Sequence, residues 1–352
     1  MKASLPVKKI TRSTPDSVTL WFEKTEPLMN YSPGQHVSVT INIDGVNVSR
    51  TYSLNTSPYA DRDIAITIRK IENGVFSTYL VNNAFEGMAV MLEGPLGEFK
   101  IEPKDSERKH FVMFAAGSGI TPIMSMLKSI LHSETTCTVS LMYTNKSYSS
   151  IIFKEELFNL EQTFPNRLKV YHILTRDEHF PKDFSVFHKG RPSKLIIKKM
   201  LKTILAEITT QVEYYLCGPF SFMHFIEDTI HLLSPGKANI FKEHFFIPDE
   251  KKDEFDFLNL TTREVIIEVK GEEKILIVEG GKSMLQAALE SGIRLSYSCT
   301  EGQCGICRAQ LISGQVKLRK NHILTEDELN RGEILLCQGF PVSDGVFIKS
   351  IL

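Results

Sequence analysis

The nine residues Cys299-Thr300-Glu301-Gly302-Gln303-Cys304-Gly305-Ile306-Cys307 carry three cysteines at a spacing that few chemistries use. Four residues separate Cys299 from Cys304, two separate Cys304 from Cys307, and 29 more precede Cys337. Four thiolates so arranged are the ligand pattern of a plant-type [2Fe–2S] cluster: a tight loop presents three sulfurs and a distant segment brings the fourth. Gly302 and Gly305 suit such a loop, which needs unusual backbone angles and close approach to sulfide. Their amides can also hydrogen-bond the sulfurs. The alternatives are a structural zinc site or four unrelated buried thiols. Zinc sites usually pair two close ligand couples, and only Cys304 and Cys307 form one here. Cys299, Cys304, Cys307 and Cys337 are therefore expected to be metal ligands.

The rest of the composition is that of an ordinary globular protein. The chain has 352 residues, a formal net charge of −1, 42% hydrophobic and 24% charged residues. This excludes a disordered chain, a collagen-like repeat and a large polybasic nucleic-acid surface. Six cysteines in all are too few for a disulfide scaffold of this length. No apolar run follows Lys2, Lys8 and Lys9 as in a signal peptide. No stretch approaches the ~20 apolar residues of a membrane span. A cytoplasmic protein is expected, where clustered cysteines serve metals or redox chemistry.

Upstream of the cysteines, the pattern changes twice. Over the first hundred residues, Val37, Val39 and Ile41 alternate with polar residues, as do Ile64, Ile66 and Ile68, with turns at Pro33-Gly34 and Asp44-Gly45. Short strands with tight turns imply an antiparallel barrel, interrupted by one helix over about Val75 to Asn83. From Lys109 the run His110–Ala116 reads as a buried parallel strand. Further strands are expected at Thr138–Tyr143, Leu168–Leu174 and Glu213–Cys217, with helices between them, as in a doubly wound α/β domain. Asp249–Glu254 is a charged linker. Beyond it, a hairpin around Gly271 and helices capped at Ser283 and Thr325 are expected. The domain expectation is residues 1–105 for the barrel, 106–248 for the α/β domain, 249–261 for a linker and 262–352 for the iron–sulfur domain.

Two elements of the barrel have ligand chemistry. In Arg50-Thr51-Tyr52-Ser53 an arginine can hold a pyrophosphate, a tyrosine can lie against a planar ring and a serine can reach a ring nitrogen. Gly74-Val75-Phe76-Ser77 opens the helix, whose N-terminus offers amides and a positive dipole end to phosphate. Each alone is ordinary strand packing or helix capping. In the α/β domain, Gly117-Ser118-Gly119-Ile120-Thr121-Pro122 is a Gly-rich turn after a buried strand, with Thr121 expected as N-cap and Pro122 at the first helical position. Tyr215-Leu216-Cys217-Gly218-Pro219 ends another strand at the carboxyl edge, where ligands bind. Cys137 opens a strand and is expected in the core.

Together these motifs resemble the ferredoxin–NADP reductase superfamily, with Arg-x-Tyr-Ser and Gly-x-x-Ser for flavin and Gly-x-Gly-x-Thr-Pro and Cys-Gly-Pro for nicotinamide. Tyr31–His36 is similar to the family's strand entry, with His36 structural. The resemblance implies Tyr52 and Ser53 at the isoalloxazine, Arg50 and Gly74–Ser77 at the pyrophosphate, and Ile68, Arg69 and Lys70 beside the flavin, with FAD favoured over FMN. It implies NAD(P)H at Gly117, Ser118, Gly119, Thr121 and Pro122. Cys217, Gly218 and Pro219 would lie where nicotinamide meets flavin, and Asn145 and Lys146 at the adenosine ribose, with NADH and NADPH both open. Phe245, in Glu243-His244-Phe245, would approach the flavin. Ser53, Thr121 and Cys217 are the residues implied at the hydride path.

The domain order flavin, nicotinamide, iron–sulfur resembles reductase components of multicomponent oxygenases, including the phenylacetyl-CoA epoxidase and ketosteroid hydroxylase reductases. Asn321–Leu324 and Cys337-Gln338-Gly339-Phe340-Pro341 match their C-terminal domains. The implied fold is an antiparallel β-barrel, a doubly wound parallel sheet and a β-grasp ferredoxin domain. The implied activity is an oxidoreductase passing electrons from NAD(P)H through FAD and [2Fe–2S] to a separate acceptor protein, an oxygenase component. Alternatives are a free ferredoxin, desaturase or haem protein as acceptor, or a non-catalytic redox sensor.

Overall fold

The computed structural model describes all residues except 1, 26–29, 72–73, 104–107, 134–135, 177–180, 182–183, 207, 234–237, 244, 246–259, 294, 298–301, 303–304, 322 and 352. By its contacts the chain forms two compact units. One comprises Met1–Ile41 with Tyr52–Phe245, and the other Asn42–Thr51 with Phe246–Leu352. The linker expected over 249–261 lies outside the described residues except for Leu260 and Thr261.

The N-terminal strands are β1 (Lys2–Pro6), β2 (Lys9–Thr11), β3 (Ser17–Glu23), β4 (His36–Ile43), β5 (Val46–Ser53) and β6 (Asp63–Arg69), followed by helix α1 (Val75–Asn83) and β7 (Ala89–Leu96). They form two sheets, β1-β7-β4-β5 and β2-β3-β6. An antiparallel bridge from Leu54 to Ile66 links them. Asp44 and Gly45, with φ of 50° and 82°, make the tight turn between β4 and β5. The alternation expected in β6 holds only for its apolar half. Ala65 and Thr67 are buried as well, because Thr67 is enclosed by hydrogen bonds with Thr19 and Asn55.

The α/β portion runs β8 (Lys109–Ala116), a 3-10 turn (Gly117–Gly119), α2 (Ile120–His132), β9 (Thr138–Asn145), α3 (Lys154–Thr163), β10 (Leu168–Leu174), β11 (His188–Lys189), α4 (Lys194–Leu205), β12 (Gln211–Cys217), α5 (Phe220–Leu233) and β13 (Asn239–Glu243). The sheet order is β11-β10-β9-β8-β12-β13, every pair parallel. Successive strands step outward from β8 to β11, and the chain then returns to the other side of β8 with β12. The crevice between the carboxyl ends of β8 and β12 is thus the topological switch point, where such sheets bind ligands. Apolar clusters cover both sheet faces. Cys137 lies in one of them, as expected of a core residue.

The apolar residues Ile123, Met126, Leu127 and Ile130 lie on one face of α2, yet 12 of its residues are buried. Ser125 Oγ donates to the Thr56 carbonyl at 2.5 Å, and Ser129 Oγ donates to Ser57 Oγ at 2.8 Å. Lys128 Nζ pairs with Asp61 and Glu156, each at 2.8 Å. The polar side of α2 is therefore fastened to the loop between β5 and β6.

The second unit contains β14 (Arg263–Val269), β15 (Glu272–Val278), α6 (Met284–Glu290), β16 (Arg308–Ser313), β17 (Val316–Leu318), α7 (Glu326–Asn330), β18 (Glu333–Leu335), β19 (Gly339–Pro341) and β20 (Val346–Ser350). Its main sheet has the order β15-β14-β20-β16-β18, with β14 and β20 parallel and the other pairs antiparallel. Lys270 and Gly271, both at positive φ, form the two-residue hairpin turn that a right-twisted ladder favours. Ser283 accepts from the Gln286 amide, and Thr325 forms a full capping box with Glu328.

Candidate functional site

The two flavin motifs meet. The Tyr52 ring stacks on Phe76 with centroids 5.8 Å apart and planes 22° from parallel. Gly74 is the N-cap of α1 and provides no side-chain cap, so the first amides of that helix can serve an anion. Ser77 Oγ accepts from the Ile71 amide and fixes the turn before the helix. Val75 is exposed, whereas the Ile68 side chain is fully enclosed. Arg69 pairs with Asp16 at 2.8 Å, and its Nη1 lies 3.0 Å from where a Gly117 Cβ would stand. It therefore reaches the Gly117–Gly119 turn as well as the strand β3 side of the barrel. Lys70 is exposed. Arg50 belongs to the second unit, where its guanidinium lies over the Tyr297 ring at 5.2 Å.

At the switch point, glycine is required by space. A Cβ on Gly119 would stand 2.2 Å from the Cys217 carbonyl oxygen and 2.7 Å from the Gly218 nitrogen. One on Gly218 would meet the Ala116 Cβ at 3.0 Å. Gly117 adopts a φ of 55°, and its carbonyl accepts from the Tyr143 hydroxyl. Thr121 is not the N-cap. The Gly117–Gly119 turn winds directly into α2, whose N-cap is Gly119, so Thr121 lies inside the helix. Its hydroxyl donates to the Ser118 carbonyl at 3.0 Å. Pro122 is accordingly the third helical residue, still within the first turn, where a missing N–H costs no helical bond.

Ser53 from β5 and Glu243 from the end of β13 come together, with Ser53 Oγ donating to Glu243 Oε2 at 3.4 Å. The other carboxylate oxygen lies 3.3 Å from His36 Nδ1. Cys217 is paired in register with Glu243 across β12 and β13. Burial first, and the Glu243 charge second, push the Cys217 thiol well above its usual range. It is therefore a neutral S–H group, unsuited to nucleophilic attack. Sequence reasoning gives neither Glu243 nor His36 a part in the chemistry. Their roles arise from partners 190 and 207 positions away, a relation no local pattern contains. Phe245, two residues on, is 45% exposed.

At the carboxyl end of β9, the buried Asn145 side chain hydrogen-bonds the Tyr143 side chain, and the buried Thr144 hydroxyl next to it has no hydrogen-bond partner. Buried polar groups left unpaired are rare, and a ligand is one explanation for them. Lys146 beside Asn145 is exposed. A cavity of about 330 Å³, bordered by Phe111, Glu213 and Tyr215, lies at the opposite, amino end of the sheet and holds none of these groups.

Among the expected cluster ligands, Cys299 and Cys304 lie outside the described residues. Cys307 and Cys337 are buried in one apolar core. The Leu336 amide donates to the Cys307 carbonyl at 3.0 Å, which brings the two distant cysteine segments together. Gly302 and Gly305 have φ of 72° and 69°, and a Cβ on Gly302 would meet the Lys320 carbonyl oxygen at 2.9 Å. The described part of the loop thus has the left-handed glycines and buried sulfurs that a [2Fe–2S] cluster needs.

Comparison with known proteins agrees with this arrangement. Residues 4–101 match the oxidoreductase FAD-binding domain, residues 113–228 the oxidoreductase NAD-binding domain, and residues 267–342 the 2Fe-2S iron-sulfur cluster binding domain. The ferredoxin reductase component of 3-ketosteroid-9-alpha-monooxygenase from Rhodococcus rhodochrous is 30% identical, over 98% of this chain and 96% of that protein. The chain belongs to the family of oxygenase ferredoxin-reductase components. Another relative is a 1,2-phenylacetyl-CoA epoxidase subunit from Escherichia coli (strain K12), 28% identical over 98% of this chain and 96% of its own. Phthalate dioxygenase reductase, described as a modular structure for electron transfer from pyridine nucleotides to [2Fe-2S], shares the fold. Its TM-score is 0.58 at 22% identity, covering 100% of this chain and 98% of that one. Among the described residues, no helix is long and apolar enough to cross a membrane.

Proposed function

We propose that the protein oxidises NAD(P)H and passes the electrons one at a time to a separate oxygenase component in the cytoplasm. The observation that carries this reading is the meeting of Ser53, from the flavin motif, with Glu243, beside Cys217 at the nicotinamide edge. A flavin lying against Tyr52 and Ser53 would face a nicotinamide held at Cys217-Gly218-Pro219. Bound FAD supplies the conversion between a two-electron donor and a one-electron iron–sulfur acceptor.

The residues divide the work. The N-terminus of α1, through Gly74, Val75, Phe76 and Ser77, holds phosphate, while Ile68, Arg69 and Lys70 border the flavin. The turn Gly117-Ser118-Gly119 and the start of α2, with Thr121 and Pro122, hold the dinucleotide phosphates. Asn145 and Lys146 take the ribose. Ser53 orients the flavin ring through its hydroxyl, and Glu243 fixes that hydroxyl. Thr121 shapes the turn that positions nicotinamide, and the neutral Cys217 thiol packs beside it. Phe245 covers the flavin face. Cys299, Cys304, Cys307 and Cys337 hold the cluster. The domains run 1–105 for FAD, 106–248 for NAD(P) and 262–352 for the cluster, joined by a linker over 249–261.

Anaerobic titration with NADH and NADPH tests the reading. Flavin bands and the broad iron–sulfur absorption should both bleach, and a purified oxygenase component should restore them. A protein that carries no iron after reconstitution with iron and sulfide would refute it.

A further inference from the structure

Tyr143, on β9, is among the largest fully enclosed side chains of the first unit. It lies in the apolar cluster on one face of the parallel sheet. A phenylalanine would fill such a site without burying a polar group, and a buried hydroxyl is costly unless it is hydrogen-bonded. Here the hydroxyl is bonded on every side. It donates to the Gly117 carbonyl at 3.1 Å, and its oxygen also hydrogen-bonds the Asn145 side chain and the Ile152 backbone. That uses the whole capacity of a hydroxyl. Burial pushes the phenol above its usual range, so the proton stays on the oxygen and the donor is permanent. The acceptor is the first residue of the Gly-rich turn. Gly117 has a φ of 55°, and the Ile120 amide donates to the same carbonyl. A trans peptide unit is planar, with its C=O and N–H pointing opposite ways. A Gly117 carbonyl held toward Tyr143 therefore turns the Ser118 N–H away from the core. Ser118 is half-buried, and a helical turn leaves its first amides without an internal partner. Among the described residues, the Ser118 amide donates to no backbone carbonyl of a turn, loop or cap.

We infer that Tyr143 is a positioning residue for the pyridine nucleotide: by fixing the Gly117 carbonyl, its hydroxyl aims the Ser118 amide at the nucleotide's phosphate. The inference rests on reading Gly117–Pro122 as the nucleotide turn, as proposed above. Enclosed in the core, Tyr143 acts only through the peptide unit between Gly117 and Ser118. Glycine makes such a tether necessary. A residue without Cβ rotates through positive φ at little steric cost, so the chain alone does not hold this peptide in one orientation. Asn145, two residues further along β9, hydrogen-bonds the same hydroxyl. The residue assigned to the ribose and the turn assigned to the phosphates are thus fastened to one buried atom.

The test uses the full-length holoprotein and Tyr143→Phe, which removes the hydroxyl and keeps the ring. Calorimetric titration with ADP-ribose, which carries the adenosine and pyrophosphate without nicotinamide, reads binding independently of turnover. Ferricyanide reduction gives KM and kcat. Tyr143→Phe should bind ADP-ribose about tenfold more weakly, as loss of an oriented donor to a charged group predicts. KM for NAD(P)H should rise by the same factor with kcat within about twofold, the pattern of lost uniform binding. Gly117→Ala disturbs the same peptide directly, so the double variant should bind no worse than the weaker single one. In wild-type protein, without any substitution, the Ser118 amide resonance should shift and gain exchange protection when ADP-ribose is added. Wild-type affinity in Tyr143→Phe would overturn the inference. So would losses that multiply in the double variant, a fall in kcat at unchanged affinity, or a Ser118 amide indifferent to ADP-ribose while the ligand binds. Wild-type protein that neither binds ADP-ribose nor is reduced by NAD(P)H would instead refute the proposed function, and the inference with it.

Discussion

Replacing Lys128 with Met should loosen the seat of α2 on the barrel by a measurable amount. The Lys128 side chain is 7% exposed and holds Asp61 and Glu156, which are 19% and 38% exposed. Breaking a fully buried ion pair by removing one partner costs ~3–5 kcal/mol. Here both orphaned carboxylates keep some access to water, which reduces the cost to about 2–3 kcal/mol. For a unit of this size, each kcal/mol lowers the melting temperature by roughly 2–4 °C, so a fall of about 5–10 °C is expected. Differential scanning calorimetry at pH 7 would resolve it. The dependence on pH is a second signature. Burial pulls the Lys128 ammonium toward neutrality, but Glu156 and Asp61 outweigh it and raise its pKa above the ordinary 10.5. A raised lysine pKa contributes stability that is complete below 10.5 and is lost as pH rises through the folded value. The gap between wild type and Lys128→Met should therefore be full at neutral pH and narrow in strong alkali. A midpoint within about 2 °C of wild type at pH 7 would refute the clamp, since that is below 1 kcal/mol.

Three further outcomes are expected. Gly119→Ala places a methyl 2.2 Å from the Cys217 carbonyl oxygen, and KM for NAD(P)H should rise at least ~10-fold as the turn is displaced; an unchanged KM would mean that the nucleotide does not use this turn. Cys337→Ser should abolish the iron–sulfur absorption and cytochrome c reduction while ferricyanide reduction by the flavin persists, and loss of both activities in a folded variant would contradict the electron route. Burial lowers the pKa of both His110 and His172 to about 4, so stability present above 6.5 should be lost as pH falls from 6.5 toward 4, by up to roughly 3 kcal/mol for each. Urea unfolding across that window should show His172→Phe with a shallower acid slope than wild type, and equal slopes would rule out this origin.

The parts of the site that are legible in the sequence are those set by short spacing. The cysteine ladder, the helix opened by Gly74 and the strand carrying Tyr52 and Ser53 depend on neighbours a few residues away. Thr121 reads as a cap but is not one, because a Gly-x-Gly turn can either precede a helix or wind into it, and Gly119 takes a helical φ of −61°. Lys128 and Ser125 read as the solvent side of an amphipathic helix. They are buried because the loop between β5 and β6 lies against that side, and burial of a lysine depends on carboxylates from elsewhere in the fold. Glu243 stands in a readable motif, yet its significance comes from His36 and Ser53, which tertiary structure alone brings to it.

Cys307 and Cys337 occupy the same apolar core as Val265, Ile267 and Leu335. If these two thiols hold the proposed cluster, they would be filled before or as the core closes, so that cluster assembly and closure would be one maturation event, as when metal binding supplies folding free energy. The amount of mature protein in a cell would then follow iron supply, and chains made under iron starvation would present an open C-terminal unit to proteolysis while the flavin-binding unit persisted.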